Sequence, residues 1–600
     1  MRFFFRQRPG WPSVGLALAA GLLVGDCLFV VGPLMAEYNT GSLWPLLLGA
    51  LGMYAMLGLG LDLAVQFLGP GVARRSIWIR GGVVLAVALG LTLAAGEVRS
   101  LPLLAVAALF AVLALGRFSW PLAAVAAAIA LSPTFQRPSL PEGNAGSAPI
   151  HAAAPPLAKP SFVVVVLDTV RADHTSAYGY HRDTTPNLAR LAARGVRFER
   201  AYATGHWSLP SHASLFTGLL VSHHGAHHEH LALDPRHPTL AELLSQHGYE
   251  TANFTGNAWI GPGTGMTRGF QLSHESWRSY QVDLMLLATR VYYALMVPDR
   301  DKGGAETVAG VRRWLSQRDT ERPYFLFVNF IEPHAPYQHV PRVFRRRFTD
   351  ADLSLHALET IGTRVLTAIQ NGNLLSAEDV AAGRDLLDGA TAAADALLGE
   401  LLELVGEEPI VVVVSDHGEL FGEHTLFGHE NTLYEPLIRV PMVIAGGTLP
   451  RGLVAEEVVS LVDIMPTLLA LAEIQAPAVD GIDLIPLLND GGQPGGRQVR
   501  AEQFRSHRES AYGWTHQRPT EVGYLFARKQ AVVGRDLKRI VAADGSDSGY
   551  DLRADPGEER PFPGHETNLD AWVPEPGAGR TAPALDPVQR KMLEVLGYLQ

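Results

Sequence analysis

Three apolar runs in this chain end on side chains that can grip a metal ion or carry a proton. Ser161–Leu167 (S-F-V-V-V-V-L) stops at Asp168, and Pro409–Ser415 (P-I-V-V-V-V-S) stops at Asp416 and His417. Pro323–Ile331 (P-Y-F-L-F-V-N-F-I) is followed by His334 in E-P-H-A-P-Y. Continuous runs that are apolar on both faces belong to buried, mostly parallel strands. In open α/β sheets a ligand sits beyond the carboxyl ends of such strands. A lone acid there is usually a turn residue or a helix cap, but three strand ends bearing metal-type ligands together argue for a site. Asp168 and Asp416 supply hard oxygens and His417 a nitrogen, a cup for one divalent cation with a position to spare. Oxygen ligands favour Ca²⁺ or Mg²⁺, and the imidazole admits Mn²⁺ or Zn²⁺.

The elements that must position these residues alternate. Between the strand-like runs, which also include Arg439–Ala445, lie helical stretches at Thr185–Arg194, Thr239–His247, Ala305–Gln317 and Ala381–Leu404. This alternation predicts an α/β sandwich around a mostly parallel central sheet over 161–500. Short strands near Gly523–Lys529 and Leu537–Ala542 predict a small antiparallel subdomain within 501–600. Ser208, in S-L-P-S-H-A-S-L-F, precedes a further helix with Pro210 in its first turn, where proline is tolerated. A serine there is an ordinary N-cap, and the free N–H groups of a helix start also suit an anion. The histidine-rich stretch Ser222–His230 resembles a metal site by composition but reads as a surface loop.

The first 132 residues differ in kind. Five apolar runs, at about Ser13–Met35, Leu43–Phe67, Ile77–Ala95, Leu101–Gly116 and Phe118–Ser132, predict an N-terminal α-helical membrane bundle. Arg2, Arg6 and Arg8, then Arg74, Arg75 and Arg80, then Arg117 fall on one side, the cytoplasm by the positive-inside rule. Five spans carry the rest of the chain to the outer face of the cell (inner) membrane; four would leave it inside. Asp26 and Asp62 read as helix-packing acids. A Pro/Ala-rich linker over 133–160 joins this part to the globular domain. The partner implied is a lipid bilayer, and the net charge of −11 argues against nucleic acid. The single cysteine, Cys27, lies in the first apolar run, so no thiol nucleophile is available further on.

Taken together in chain order, several blocks resemble the sulfatase family of the alkaline-phosphatase superfamily. They comprise L-D-T-V-R-A-D from Leu167, T-T-P-N-L from Thr184, W-S-L-P-S-H-A-S-L-F-T-G from Trp207, E-P-H-A-P-Y from Glu332, S-D-H-G-E from Ser415, and Gly428 with His429. Tyr434-Glu435, Arg439-Val440-Pro441 and Tyr550-Asp551-Leu552 extend the likeness to about residue 560. The resemblance implies a metallohydrolase of sulfate esters, with phosphate esters as further substrates. It makes Ser208 the nucleophile and a fourth metal ligand beside Asp168, Asp416 and His417. It gives His334 and His429 the tasks of holding the substrate oxyanion or protonating the leaving group, and leaves His424 a weaker candidate.

The pattern also departs from the family. His212 stands where sulfatases that mature a Cys or Ser to formylglycine carry arginine, so conversion of Ser208 is not expected. Thr169 replaces the second acid, Asn257 stands at a lysine position, and His429 at another. His212, Asn257, His334 and His429 are the expected substrate-binding side chains for an anionic ester. These changes make the chain similar to membrane-bound phosphoglycerol and phosphoethanolamine transferases, which use a plain hydroxyl nucleophile. Two alternatives therefore stand beside the sulfatase-type hydrolase: a lipid-linked phosphotransferase working through a seryl intermediate, and an inactive surface protein that keeps the fold for binding.

Overall fold

The computed structural model describes residues 159–278, 301–337, 340–350, 353–371, 374–429, 432–489, 491, 495–504 and 522–572. All belong to one compact unit, Pro149–Arg278 with Asp299–Gln600. The five apolar N-terminal runs, Asp26, Asp62, Cys27 and the linker up to residue 158 lie outside the described residues. Among the described residues no helix is long and apolar enough to cross a membrane.

The strands are β1 (Phe162–Leu167), β2 (Gly195–Tyr202), β3 (Glu250–Thr255), β4 (Leu272–Glu275), β5 (Tyr324–Phe330) and β6 (Ile410–Val414). After them come the short pair β7 (Leu420–Phe421) and β8 (Phe427–Gly428), then β9 (Arg439–Val440), β10 (Met442–Ala445) and β11 (Leu453–Ser460). The main sheet has nine strands in the order β11-β2-β10-β6-β1-β5-β3-β4, with β9 paired to β2. Strand β1 runs parallel to both β5 and β6, and β5 parallel to β3. Only β9 and β10 run against the rest. The run Arg439–Ala445 is thus two strands rather than one, because Pro441 has no N–H to give a ladder.

Every residue of β1 is fully buried, which explains its unbroken β-branched sequence. On one face Val163, Val165 and Leu167 pack with Leu326 and Val328 under three helices, α1 (Pro186–Ala192), α4 (Gly304–Gln317) and α6 (Ala377–Val405). The longer intervening helices are α2 (Ser208–Thr217), α3 (Leu240–Gln246) and α5 (Leu355–Asn371). On the opposite face Phe327 meets Phe216 of α2, with ring centroids 4.8 Å apart. Because strand side chains alternate, Asn329 shares that face with Phe325 and Phe327, so the one polar residue of β5 is turned toward α2. Helix α3 starts at the capping box of Thr239 and Glu242 that its sequence carries.

A second, antiparallel sheet runs β12 (Val499–Gln503), β13 (Lys529–Val533), β14 (Leu537–Ala542), β15 (Asp547–Asp551), β16 (Phe562–Pro563) in simple order. The strand expected at Gly523–Lys529 is instead a helical turn, Val522–Leu525, with β13 beginning at Lys529. Leu525 and Phe526 sink into an apolar cluster with Tyr202, Leu437 and Val533, and that burial, not local propensity, decides the segment. The same cluster joins the small sheet to the main one through Val458, Val499 and Ala501.

Candidate active site

Four neighbouring strands, β6, β1, β5 and β3, deliver the polar residues to one place. β1 ends at Leu167, and the Asp168 N–H still donates to the Phe330 carbonyl of β5 at 3.0 Å. The chain then turns at Thr169 with φ 59, a left-handed conformation rarely adopted by a β-branched residue. Two bonds from the neighbouring strand end hold it there: the Thr169 N–H donates to Asp416 Oδ1 (3.2 Å) and the Val170 N–H to Ser415 Oγ (2.9 Å). Backbone strain of this kind persists where the surroundings enforce it.

The two carboxylates are treated alike by their neighbours. Asp168 Oδ2 accepts from the Asn257 and Asn329 amides at 2.7 and 3.0 Å. Asp416 Oδ1 accepts from the Thr169 N–H and, at 3.0 Å, from the His417 N–H. Their other oxygens, Asp168 Oδ1 and Asp416 Oδ2, are buried and have no hydrogen-bond partner. His417 Nδ1 donates to the Gly418 carbonyl at 2.9 Å, so Nε2 presents a lone pair. Ligand atoms of Asp168, Asp416 and His417 lie within 4.8 Å of one another, the only such group of three among the described residues. Ser208 Oγ lies 3.4 Å from His417 Nε2 and accepts from Asn257 Nδ2 at 2.9 Å.

Leaving a buried carboxylate oxygen without a donor is costly. Asp416 Oδ2 has only His417 Nε2 at 3.4 Å and His212 Nδ1 at 3.5 Å near it, without a hydrogen bond to either, and among the described residues no lysine or arginine bonds to either acid. Burial, and then the neighbouring Asp416, pushes the Asp168 carboxyl up to about 6. Burial also raises Asp416 and lowers His417. A divalent cation satisfies all of these groups at once, and the set of carboxylate oxygens, an imidazole nitrogen and a hydroxyl suits one.

Ser208 is the first residue of α2, with Trp207 at the N-cap position and no side-chain cap, and all ten residues of the helix are buried. His212, one turn on, has both ring nitrogens engaged below Ser208. Its Nδ1 donates to the Ser208 carbonyl at 2.8 Å and Nε2 lies 3.5 Å from Asn329 Nδ2. His334 and His429 form the rim with His417: ring centroids are 5.0 Å apart for His334–His429 and 4.6 Å for His417–His429. His334 Nδ1 donates to the Ala335 carbonyl at 2.6 Å. His429 Nδ1 bonds to Glu419 Oε1 at 3.1 Å. His424 is not in the cup; it stacks on Tyr434 at 3.8 Å.

Asn329, Glu419, Tyr337 and Lys302 are the residues that reading the sequence for ligands missed. Asn329 was signalled by a lone amide in an apolar strand. Lys302 is buried and donates to the carbonyls of Glu332 (3.0 Å) and His334, and burial brings its ammonium down to about 8. The histidine-rich stretch is not a surface loop: His224, His227 and His228 are buried. His227 stacks on Phe504 at 3.9 Å and His228 on Trp207 at 4.1 Å, so these imidazoles serve as packing rings.

Residues 160–474, more than half of the chain, match the family model described as Sulfatase. The chain belongs to the sulfatase family. Arylsulfatase K of Mus musculus is 25% identical over 380 residues, covering 58% of this chain and 66% of that protein. An arylsulfatase of Clostridium perfringens is 26% identical over 386 residues, covering 55% and 79%. The match therefore spans just under two thirds of the length of the mouse sulfatase. Among solved structures, the phosphonate monoester hydrolase of Agrobacterium radiobacter superposes with a TM-score of 0.54 at 24% identity, over 67% of this chain and 91% of that one. That likeness concerns the sulfatase-type fold.

Proposed function

We propose that this chain is a divalent-cation-dependent hydrolase of sulfate esters, with Ser208 as nucleophile. The observation that carries the reading is the pair of buried oxygens without a hydrogen-bond partner, Asp168 Oδ1 and Asp416 Oδ2, in the group with His417 and Ser208 Oγ. Those four residues would hold the cation, which when bound lowers the pKa of a hydroxyl and offsets the charge of the ester oxygens. Asn257 Nδ2 fixes Ser208 Oγ for attack on the sulfur or phosphorus atom. Ser208 Oγ gives up its proton to solvent, its attack forms a seryl ester and breaks the bond to the alcohol, and His334 and His429 hold the oxyanion and protonate the departing oxygen. Water then releases the acid.

A second reading, favoured by two features of the cup, is transfer of a phosphate-linked group. Among the described residues no guanidinium or ammonium bonds to the cup acids, and the proposed nucleophile is a plain serine. A seryl phosphate is resolved by water or an alcohol more readily than a seryl sulfate. In either case the N-terminal apolar runs would anchor the chain in the cell (inner) membrane and present the active site on its outer side.

The test uses purified full-length protein with an aryl sulfate and an aryl phosphodiester. Turnover should vanish on chelation, return with Mg²⁺, Mn²⁺, Ca²⁺ or Zn²⁺, and be absent in Ser208→Ala. Turnover retained by Ser208→Ala removes the nucleophile assignment. The faster of the two esters separates the two readings.

A further inference from the structure

A short hairpin decides which group His429 faces. β7 and β8 pair Leu420 with Gly428 and Phe421 with Phe427, so one step further along the register Glu419 stands opposite His429. The hairpin turns at Gly422 (φ 102), His424 (φ 50) and Thr425 (φ 61). It rests on two helices: a Cβ on Gly428 would lie 2.8 Å from Ile369 of α5, and a Cβ on Gly383 of α6 would lie 2.7 Å from the Phe421 ring. The hairpin is thus a packed, not a floating, support.

Glu419 itself is fully buried and held at three points. Its Oε2 accepts from the Tyr337 hydroxyl, its carbonyl accepts from Arg171 Nη1 at 3.1 Å, and its Oε1 takes His429 Nδ1 at 3.1 Å. The backbone of His429 is pinned as well, since its carbonyl accepts from His206 Nδ1 at 2.8 Å. His334 differs, because its Nδ1 rests on a main-chain carbonyl. A carboxylate behind an imidazole fixes the ring's tautomer and orientation.

We propose that Glu419, braced by Tyr337, is a positioning residue that holds His429 with Nε2 toward the leaving oxygen of the ester. The inference rests on the hydrolase reading above and assigns the leaving-group proton to His429. As the S–O or P–O bond breaks, its electron pair goes to the alcohol oxygen, His429 Nε2 gives that oxygen a proton, and Nδ1 keeps its own proton on Glu419. An alkyl alcohol needs that proton, and 4-nitrophenolate leaves without it.

The experiment compares an alkyl ester with a 4-nitrophenyl ester of the same acid in Glu419→Ala, Glu419→Gln and Tyr337→Phe. A positioned acid contributes about 10²–10⁴ in rate. Glu419→Ala should therefore lose kcat at least about ten times more strongly on the alkyl ester than on the nitrophenyl ester. Glu419→Gln, whose amide oxygen still accepts from Nδ1, should recover most of that difference. Tyr337→Phe should show the same leaving-group pattern on a smaller scale, and it serves if Glu419→Ala does not fold. Equal losses on both esters, or no recovery in Glu419→Gln, overturn the positioning role alone. A wild-type protein that turns over neither ester overturns the hydrolase reading and this inference with it.

Discussion

Replacing Asp168 by asparagine should make the cation-free protein more stable and indifferent to divalent cations. The Asp168 carboxyl rises from 3.8 to about 6 because burial and the neighbouring Asp416 penalise its charge. A folded-state value above the unfolded one means that the native state binds the proton more tightly. The stabilising contribution is full below about pH 4 and is lost as the pH rises through about 6. At pH 7.5 the ionised group therefore costs the cation-free native state about 3 kcal/mol, taking about 1.4 kcal/mol per pKa unit. Asparagine carries no charge, and its amide oxygen can replace Oδ2 as acceptor for Asn257 and Asn329. Its NH₂ must still find acceptors in the cup, so a gain of about 1–3 kcal/mol is expected, or about 2–6 °C in melting temperature at about 2 °C per kcal/mol. The assay is a thermal melt of chelated protein at pH 7.5, repeated with added cation. Wild type should gain about 2.7 kcal/mol when the cation stands at a hundred times its Kd, and Asp168→Asn little or nothing. If the variant melts lower without cation, and still gains as wild type does with it, the argument from two neighbouring carboxylates is wrong.

Other outcomes follow from the geometry. Gly418→Ala should unfold at markedly lower denaturant or fail to express, because its Cβ would stand 2.0 Å from the Pro436 carbonyl oxygen. Tyr178→Phe should cost about 1–3 kcal/mol in equilibrium unfolding, since the hydroxyl accepts from the Met442 N–H at 2.7 Å and bridges β10 to the Phe198 carbonyl of β2. Arg497→Ala should cost about 3–5 kcal/mol, because Nη1 and Nη2 each meet the buried Asp463 carboxylate at 2.7 Å. Arg497→Lys should recover only part of that loss by the same measurement.

What the sequence reveals and conceals here has a physical pattern. β1, β5 and β6 are buried on both faces, so their composition alone marks them, and the candidate ligands Asp168, Asp416 and His417 follow the ends of β1 and β6 within three residues. β2 carries Arg197 and Glu199 on one face, where they pair at 3.1 Å, and a half-buried Arg200 on the other, and these break the apolar run. β11 is interrupted by a bulge between Ala455 and Val458, which scrambles its alternation. The β7–β8 hairpin has only two residues in each strand and exists through α5 and α6, so the Glu419–His429 pair cannot be read from spacing. His227 looks like a metal ligand or a surface residue until the second sheet brings Phe504 against it.

The most direct measurement is the mass of the peptide containing Ser208, taken from wild-type protein acid-quenched during turnover with a divalent cation. The account predicts unmodified serine in the resting protein and, in the quenched sample, a sulfate- or phosphate-containing adduct on Ser208 that disappears under chelation. Turnover with an adduct on another residue, or a resting Ser208 already converted to an aldehyde, would contradict it.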